Sequence, residues 1–297
     1  MVNHMKKNRL ILAGVLVFLC AIGCKSKFET LLSSNDVDLK YTEAFNLYNT
    51  KKYKKAASLF ESLSMLTSGM PQDDTVRYYW ALSNYKYKDY VTAEANFGSF
   101  VETYPRSPFT PEARFLKMDC MYRNTYRYEL DQNPTNLAIM EIQQYMLDYP
   151  ESDRLYVCHQ MLDDLTNRIE KKAYENARLY YKMEDYIAAK TSFRNVLKDN
   201  PDNRYRENIQ YYIAKSCYKY AYLSVPQKQK ERYMEFQDEY FNFVGEHPKS
   251  EFRKELDQLY TRSQNAISAN EKVLDRKALR KQKREDRKIE KALNKEK

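Results

Sequence analysis

One spacing of five residues recurs three times in this chain without a gap, and it constrains the fold more than any other feature. Ala44, Tyr48, Tyr53, Ala56 and Phe60 set it out; Ala81, Tyr85, Tyr90, Ala93 and Phe97 repeat it; Ala177, Tyr181, Tyr186, Ala189 and Phe193 repeat it again. Residues four apart share one face of a helix, so each Ala–Tyr and Ala–Phe pair marks a helical face. The stretches between the paired tyrosines, such as Asn49 to Lys52 and Lys86 to Asp89, are polar and short enough to turn between antiparallel helices. Small alanines let the helices approach, and the phenylalanine fills the space between them. A hairpin of this kind cannot bury its apolar face alone, so its neighbours must stack on it.

A second marker closes the units. Tyr104-Pro105-Arg106-Ser107, Tyr149-Pro150-Glu151-Ser152 and His247-Pro248-Lys249-Ser250 recur, with Asn200-Pro201-Asp202-Asn203 as a polar variant. Proline stops a helix, and the Ser or Asn is expected to cap the next one. Pro111 after Thr110 adds a helix start with proline at its first position. Two further units are degenerate. One carries an insertion around residues 123–135 before Ala138 and Ile142; the other opens at Ala214 and Tyr218 and is interrupted around residues 223–230 before Phe236 and Tyr240. These features resemble the tetratricopeptide repeat (TPR), whose second helix carries Tyr, Ala and Phe before a closing Pro. The expected fold is all-α: a TPR superhelix of about five helical hairpins, the repeat domain covering residues 40–265.

Glycine supports the helical reading. Of five glycines, only Gly69, Gly98 and Gly245 lie beyond residue 23, so tight β-hairpins and phosphate-cradling loops are disfavoured.

The N-terminus reads as an address. Lys6, Lys7 and Arg9 precede the apolar run Leu10–Leu19, then Ala21-Ile22-Gly23-Cys24, a pattern of charge, apolar core and small residues that describes a secretory signal peptide over residues 1–23. The run is shorter than the roughly 20 apolar residues a spanning helix needs. The stretch ending at Cys24 resembles the bacterial lipobox, with Ala21 where leucine is usual; Cys20 is the poorer acceptor because Leu19 precedes it. The resemblance implies lipidation of Cys24, and Lys25 after it, in place of aspartate, implies the outer membrane. Residues 24–39 then read as a lipidated tether. Cys120, Cys158 and Cys217 remain, an odd number set in apolar helical stretches, and are expected as buried free thiols.

The formal charge of +9 is unevenly placed. The signal peptide holds +3, and residues 271–297 hold twelve Lys/Arg against six Asp/Glu, which leaves the body between Cys24 and Asn270 neutral. A nucleic-acid partner is therefore not expected, because it needs basic charge concentrated on the folded surface. Residues 266–297 read as a basic, helix-compatible tail with a weak apolar stripe of Leu274, Ala278, Ile289 and Leu293. A solvated helix is the default for such a run, with contact to an acidic partner or anionic lipid as the alternative.

No catalytic or metal-ligating constellation emerges. Beyond the signal peptide there are two histidines, His159 and His247, far apart, and no HExxH, CxxC pair, P-loop or GxSxG. The carboxylate pairs Asp73-Asp74, Asp163-Asp164 and Glu184-Asp185 are expected as solvated surface. No enzyme, cofactor, metal or small-molecule substrate is expected. The candidate contact residues are instead Tyr48, Tyr85, Tyr181 and Tyr218, which share one place in four repeats, with Tyr122 matching in the third. Two readings stay open: a row of tyrosines gripping an extended peptide, or rings that only seal each helix against its neighbours.

The lipidated cysteine, five repeats, Tyr-Pro-x-Ser closures and the segment Asp131-Gln132-Asn133-Pro134 before Ala138 together resemble the BamD family of TPR lipoproteins in the outer-membrane β-barrel assembly machinery. The long basic tail and Asn200 depart from that family's pattern. The resemblance implies a scaffold on the periplasmic face of the outer membrane. It would bind a BamA-type barrel protein through its later repeats and unfolded outer-membrane clients through its first. A TPR lipoprotein adaptor for other envelope or peptidoglycan enzymes is the alternative. Glycan-capturing lipoproteins fit less well, since Trp80 is the only tryptophan available for sugar stacking.

Overall fold

A computed structural model of the chain describes residues 27–293, with side chains described through residue 288. The signal peptide and Cys24 lie outside the described residues. Among the described residues all regular structure is helical: α1 (Lys27–Leu32), α2 (Val37–Asn49), α3 (Tyr53–Leu66), α4 (Asp73–Tyr87), α5 (Tyr90–Thr103), α6 (Thr110–Arg123), α7 (Asn133–Asp148), α8 (Leu155–Lys182), α9 (Tyr186–Asp199), α10 (Arg206–Tyr222), α11 (Pro226–Glu246) and α12 (Arg253–Leu293). The helices pair as TPR-like hairpins, α2 with α3 through α10 with α11.

The chain forms two compact units. One takes the described residues up to Tyr126 together with Asn133–Met161; the other takes Arg127–Gln132 and the chain from Leu162 onward. In the first unit, one core cluster joins Ala44, Leu47, Ala56, Phe60 and Val76, and a second joins Tyr78, Ala81, Phe97, Phe100, Ala113 and Cys120. In the second unit a single cluster runs from Tyr174 and Ala177 through Phe193, Ile213 and Phe236 to Leu256.

The repeated spacing is the spacing of these cores. Ala44, Ala56, Ala81, Ala93, Ala177 and Ala189 are all 0% exposed, as are Phe60, Phe97 and Phe193. Fully burying one phenylalanine is worth about 1.5–3 kcal/mol. At the alanines, a larger side chain would force the two helices apart.

The turns inside the three regular hairpins share one backbone device. The third residue after the first tyrosine is left-handed although none is glycine: Lys51 at φ 62°, Lys88 at 71° and Glu184 at 62°. Around each, two backbone bonds close a Schellman motif, as in Lys88 N–H to Tyr85 O at 3.0 Å and Asp89 N–H to Asn84 O at 3.0 Å. Asp89 and Asp185 then cap α5 and α9, accepting from the backbone N–H of Thr92 and Ala188.

The closures between hairpins differ from expectation. Ser107, Ser152, Asn203 and Ser250 do not cap the next helix; each side chain accepts a bond from the N–H two residues on, that of Phe109, Arg154, Tyr205 and Phe252 respectively. The preceding proline sits second in a β-turn closed by the Ser or Asn N–H, for example Ser107 to Tyr104 O at 3.1 Å. A short polar side chain bonding its own chain two residues ahead completes the reversal before the helix begins. The residue ahead of the proline reaches back to the first helix of its own hairpin. Tyr104 Oη donates to Asp73 at 2.6 Å, Asn200 Nδ2 to Glu170 at 2.8 Å, and His247 Nε2 lies 2.6 Å from Gln210 Oε1. Asn200 thus does the work of the expected tyrosine because Glu170, only 8% exposed, offers it an acceptor.

One expected surface carboxylate is buried. Asp73 is 4% exposed and accepts from Thr67 Oγ1, the Gly69 N–H, Arg77 Nε and Tyr104 Oη, so it is an anchor of the second hairpin rather than solvated surface. Its neighbour Asp74 accepts from Ser107 Oγ at 2.9 Å. Asp163 and Asp164 pair with Arg204 and Arg168.

The third hairpin's insertion is ordered by Gln132, whose side-chain amide donates to Arg127 O and Leu130 O at 2.8 and 3.0 Å. Lys172 in α8 donates to Leu130 O, and Lys171 lies 4.4 Å from the Tyr128 ring centroid. Most of the fifth hairpin's interruption is helix: residues 223–225 make the turn, and α11 starts at Pro226 and takes in the rest. Within the segment read as a tether, α1 packs Phe28, Leu31 and Leu32 against the first core. The basic tail continues α12 as one helix, and from Glu271 onward every described side chain is exposed except Leu274, which is half-buried.

Candidate partner-binding surface

The five candidate tyrosines are placed near the C-terminal end of the first helix of each hairpin, four of them in its last turn and Tyr218 one turn before its end. Tyr48, Tyr85 and Tyr181 each stand edge-on to the second tyrosine of the repeat. Centroids are 5.5, 5.6 and 5.4 Å apart for Tyr48–Tyr53, Tyr85–Tyr90 and Tyr181–Tyr186, all at 66°. Edge-to-face contact sets the positive ring edge against the negative face and locks the hairpin mouth. Each also reaches the following hairpin. Tyr48 packs on Tyr79, Tyr181 on Tyr212, and Tyr85 Oη donates to Asp119 at 2.6 Å.

These rings therefore seal helices, yet Tyr48, Tyr85, Tyr122 and Tyr181 keep part of their surface in solvent. Tyr218 does not. At 9% exposure, packed on Tyr233 and Phe236, it belongs to the core of the second unit. Burial pushes the Tyr48 phenol up to about 12, and burial with the bond to Asp119 raises Tyr85 further. Both stay protonated donors at neutral pH. Asp119, 3% exposed, also accepts from Arg123, so the Tyr85–Asp119–Arg123 cluster is internally satisfied.

The exposed apolar surface lies elsewhere, at residues sequence reasoning passed over. On α7, Leu137, Met140 and Leu147 face solvent at 57%, 65% and 75% exposure, opposite the buried Ala138, Ile142 and Tyr145. In the second unit, Met183 and Ile187 at the α8–α9 turn and Tyr222, Leu223 and Val225 at the α10–α11 turn are exposed. Apolar residues at hairpin turns, where polar ones are usual, were the available signal. Lys190 and Arg232 lie over the ring of Tyr220, at 5.5 and 3.9 Å from its centroid.

Burial pushes the thiols of Cys120 and Cys217 up to about 12 and raises that of Cys158; all three are free and buried. A thiol held protonated is a poor nucleophile and a poor metal ligand. Among the described residues there is no group of three or more His, Cys, Asp or Glu placed to hold a metal ion, and no helix long and apolar enough to cross a membrane.

Comparison with known proteins extends these observations. Among solved structures, the TPR2AB-domain:pHSP90-complex of yeast Sti1 aligns over 77% of this chain and 98% of that chain, with a TM-score of 0.37 and 15% identity. The outer membrane protein assembly factor BamD of Rickettsia prowazekii is 24% identical over 201 residues, covering 68% of this chain and 80% of that protein. BamD of Caulobacter vibrioides is 22% identical over 193 residues, covering 63% of this chain and 62% of that protein. A family model described as YfiO: Outer membrane lipoprotein matches residues 34–208, more than half of the chain and all of its first four hairpins. By that match this chain belongs to the YfiO/BamD family of outer membrane lipoproteins.

Proposed function

We propose that this chain is an assembly factor for outer-membrane proteins, acting as a scaffold and not as a catalyst. It is anchored by lipid on Cys24 to the periplasmic face of the outer membrane, where it holds a BamA-type barrel protein and segments of unfolded barrel clients. The observation that carries the reading is the family match across residues 34–208. Stacked hairpins with half-buried tyrosines suit the role. Tyr48, Tyr85, Tyr122 and Tyr181 keep part of their rings in solvent, and such amphipathic rings suit contact with an extended peptide. The buried thiols and bonded carboxylates fit a protein whose polar groups hold helices together.

Affinity purification of the tagged chain from detergent-solubilised envelopes tests the reading. Recovery of a BamA-like barrel protein supports it. Recovery of cell-wall enzymes without that barrel would replace it with an adaptor role in the same compartment.

A further inference from the structure

We propose that the first hairpin carries a binding site for an anionic phospholipid of the membrane in which the anchor sits. The site is a crevice of about 660 Å³ between α1 and the α2–α3 hairpin. That size falls in the roughly 300–1,000 Å³ range of small-molecule sites. Its walls are apolar: Phe28 and Leu31 from α1, Leu39 and Leu47 from α2. Leu39 is 55% exposed, an uncovered apolar side chain at the mouth.

The rim is cationic. Lys27, Lys52 and Lys55 line the crevice and face a single carboxylate, Glu43. Lys55 leans over the Phe28 ring at 5.3 Å from its centroid, and among the described residues none of the three lysines is in an ion pair. Three ammonium groups outside any described ion pair, set around an apolar slot, match a phosphate headgroup with an acyl chain below it. A solvated basic face would lack the slot, and an apolar peptide site would lack the charge.

The crevice is also built to stay open. Lys40, 2% exposed, donates to Leu32 O at 2.9 Å and Ser62 Oγ at 2.7 Å, which pins the C-terminal end of α1 to α3. A cation at the last carbonyls of a helix is favourable there. The position in the chain completes the argument. Lys27 stands three residues after Cys24, and three residues span at most about 10 Å. If Cys24 bears the lipid, a claim that rests on the function proposed above, the crevice lies at headgroup level.

The test uses the unlipidated chain from residue 24 onward with Cys24→Ser. That chain keeps every described helix and core contact, all of which lie within residues 27–293. Binding is measured by co-sedimentation with vesicles of phosphatidylcholine alone or with phosphatidylglycerol added. The parent is expected on the anionic vesicles and not on the zwitterionic ones. Lys27→Glu, Lys52→Glu and Lys55→Glu together should weaken that binding at least tenfold, since each lysine near an anionic surface contributes roughly fivefold. Reversing three exposed tail lysines, Lys277, Lys283 and Lys288, controls for net charge and should weaken it less than about threefold. Leu39→Ser should weaken it several-fold while the helical signal and melting stay unchanged.

Equal loss from rim and tail reversal, binding that survives rim reversal, or equal binding to both vesicle types would each overturn the proposal. None of those results touches lipidation itself, which is read separately from the mass of the matured chain.

Discussion

Replacing Asp73 with alanine should remove the acceptor at which four donors meet beneath the second hairpin. Tyr104 Oη lies 2.6 Å from it, Arg77 Nε 3.0 Å, and Thr67 Oγ1 and the Gly69 N–H 3.3 Å each. Arg77 is 29% exposed and can rehydrate, whereas the carboxylate side chain is 6% exposed. A hydrogen bond to a charged group is worth about 1.5–3 kcal/mol, so Tyr104→Phe should cost about 2 kcal/mol. Asp73→Ala also strands buried donors and should cost about 3–4 kcal/mol. The two changes share a bond, so the double variant should cost about 1.5 kcal/mol less than the sum. Trp80 sits on α4 and packs against the first core, so its fluorescence reports unfolding of the unit that contains Asp73. With a slope near ~2 kcal/mol per molar urea, the Asp73→Ala midpoint should fall by about 1.5–2 M. A fall below about 0.5 M, or additivity of the two substitutions within about 0.4 kcal/mol, would refute the reasoning.

Three further outcomes follow from the same packing. Lys88→Gly should raise the urea midpoint seen by Trp80, because a left-handed non-glycine residue costs about 1–2 kcal/mol and glycine gives back only part of that in chain entropy. Phe193→Ala should destabilise the second unit by about 3–5 kcal/mol, read by hydrogen exchange in α9 and α10. Stability should also fall steeply in alkali. Burial raises Tyr48, Tyr104, Tyr174 and Tyr233 to about 12, above the unfolded value near 10. The folded chain keeps protons that the unfolded chain sheds. This stabilisation is therefore complete below about pH 10 and is lost as pH rises through about 12, which a series of thermal melts would show.

The repeat could be read directly because one helical period fixes it. Alanine, tyrosine and phenylalanine at spacings of three and four can only make faces, and the structure buries each of those alanines and phenylalanines completely. The same local logic reaches the helix stops at proline. It stops short of the Ser and Asn after them, since a cap and an i-to-i+2 turn use the same side chain and differ only in where the next helix begins. Asp73 was misread for a related reason. Its burial is decided above all by Tyr104, which follows α5 and lies 31 residues away, a contact no local window of sequence displays.

The candidate tyrosines show the division most plainly. Their shared position follows from sequence, but whether a ring faces solvent depends on what the next hairpin sets against it. Tyr79 and Tyr212 half-cover Tyr48 and Tyr181, while Tyr233 and Phe236 close over Tyr218. Sequence by itself determined the helical period, the hairpin unit and the family pattern, all of which are local and repeated. Tertiary structure alone decided which polar groups are buried, which apolar ones are left uncovered, and that α1 leaves a lysine-rimmed crevice. Those outcomes depend on the packing of residues distant in the chain, where one neighbour's volume and hydrogen-bonding groups settle the fate of another.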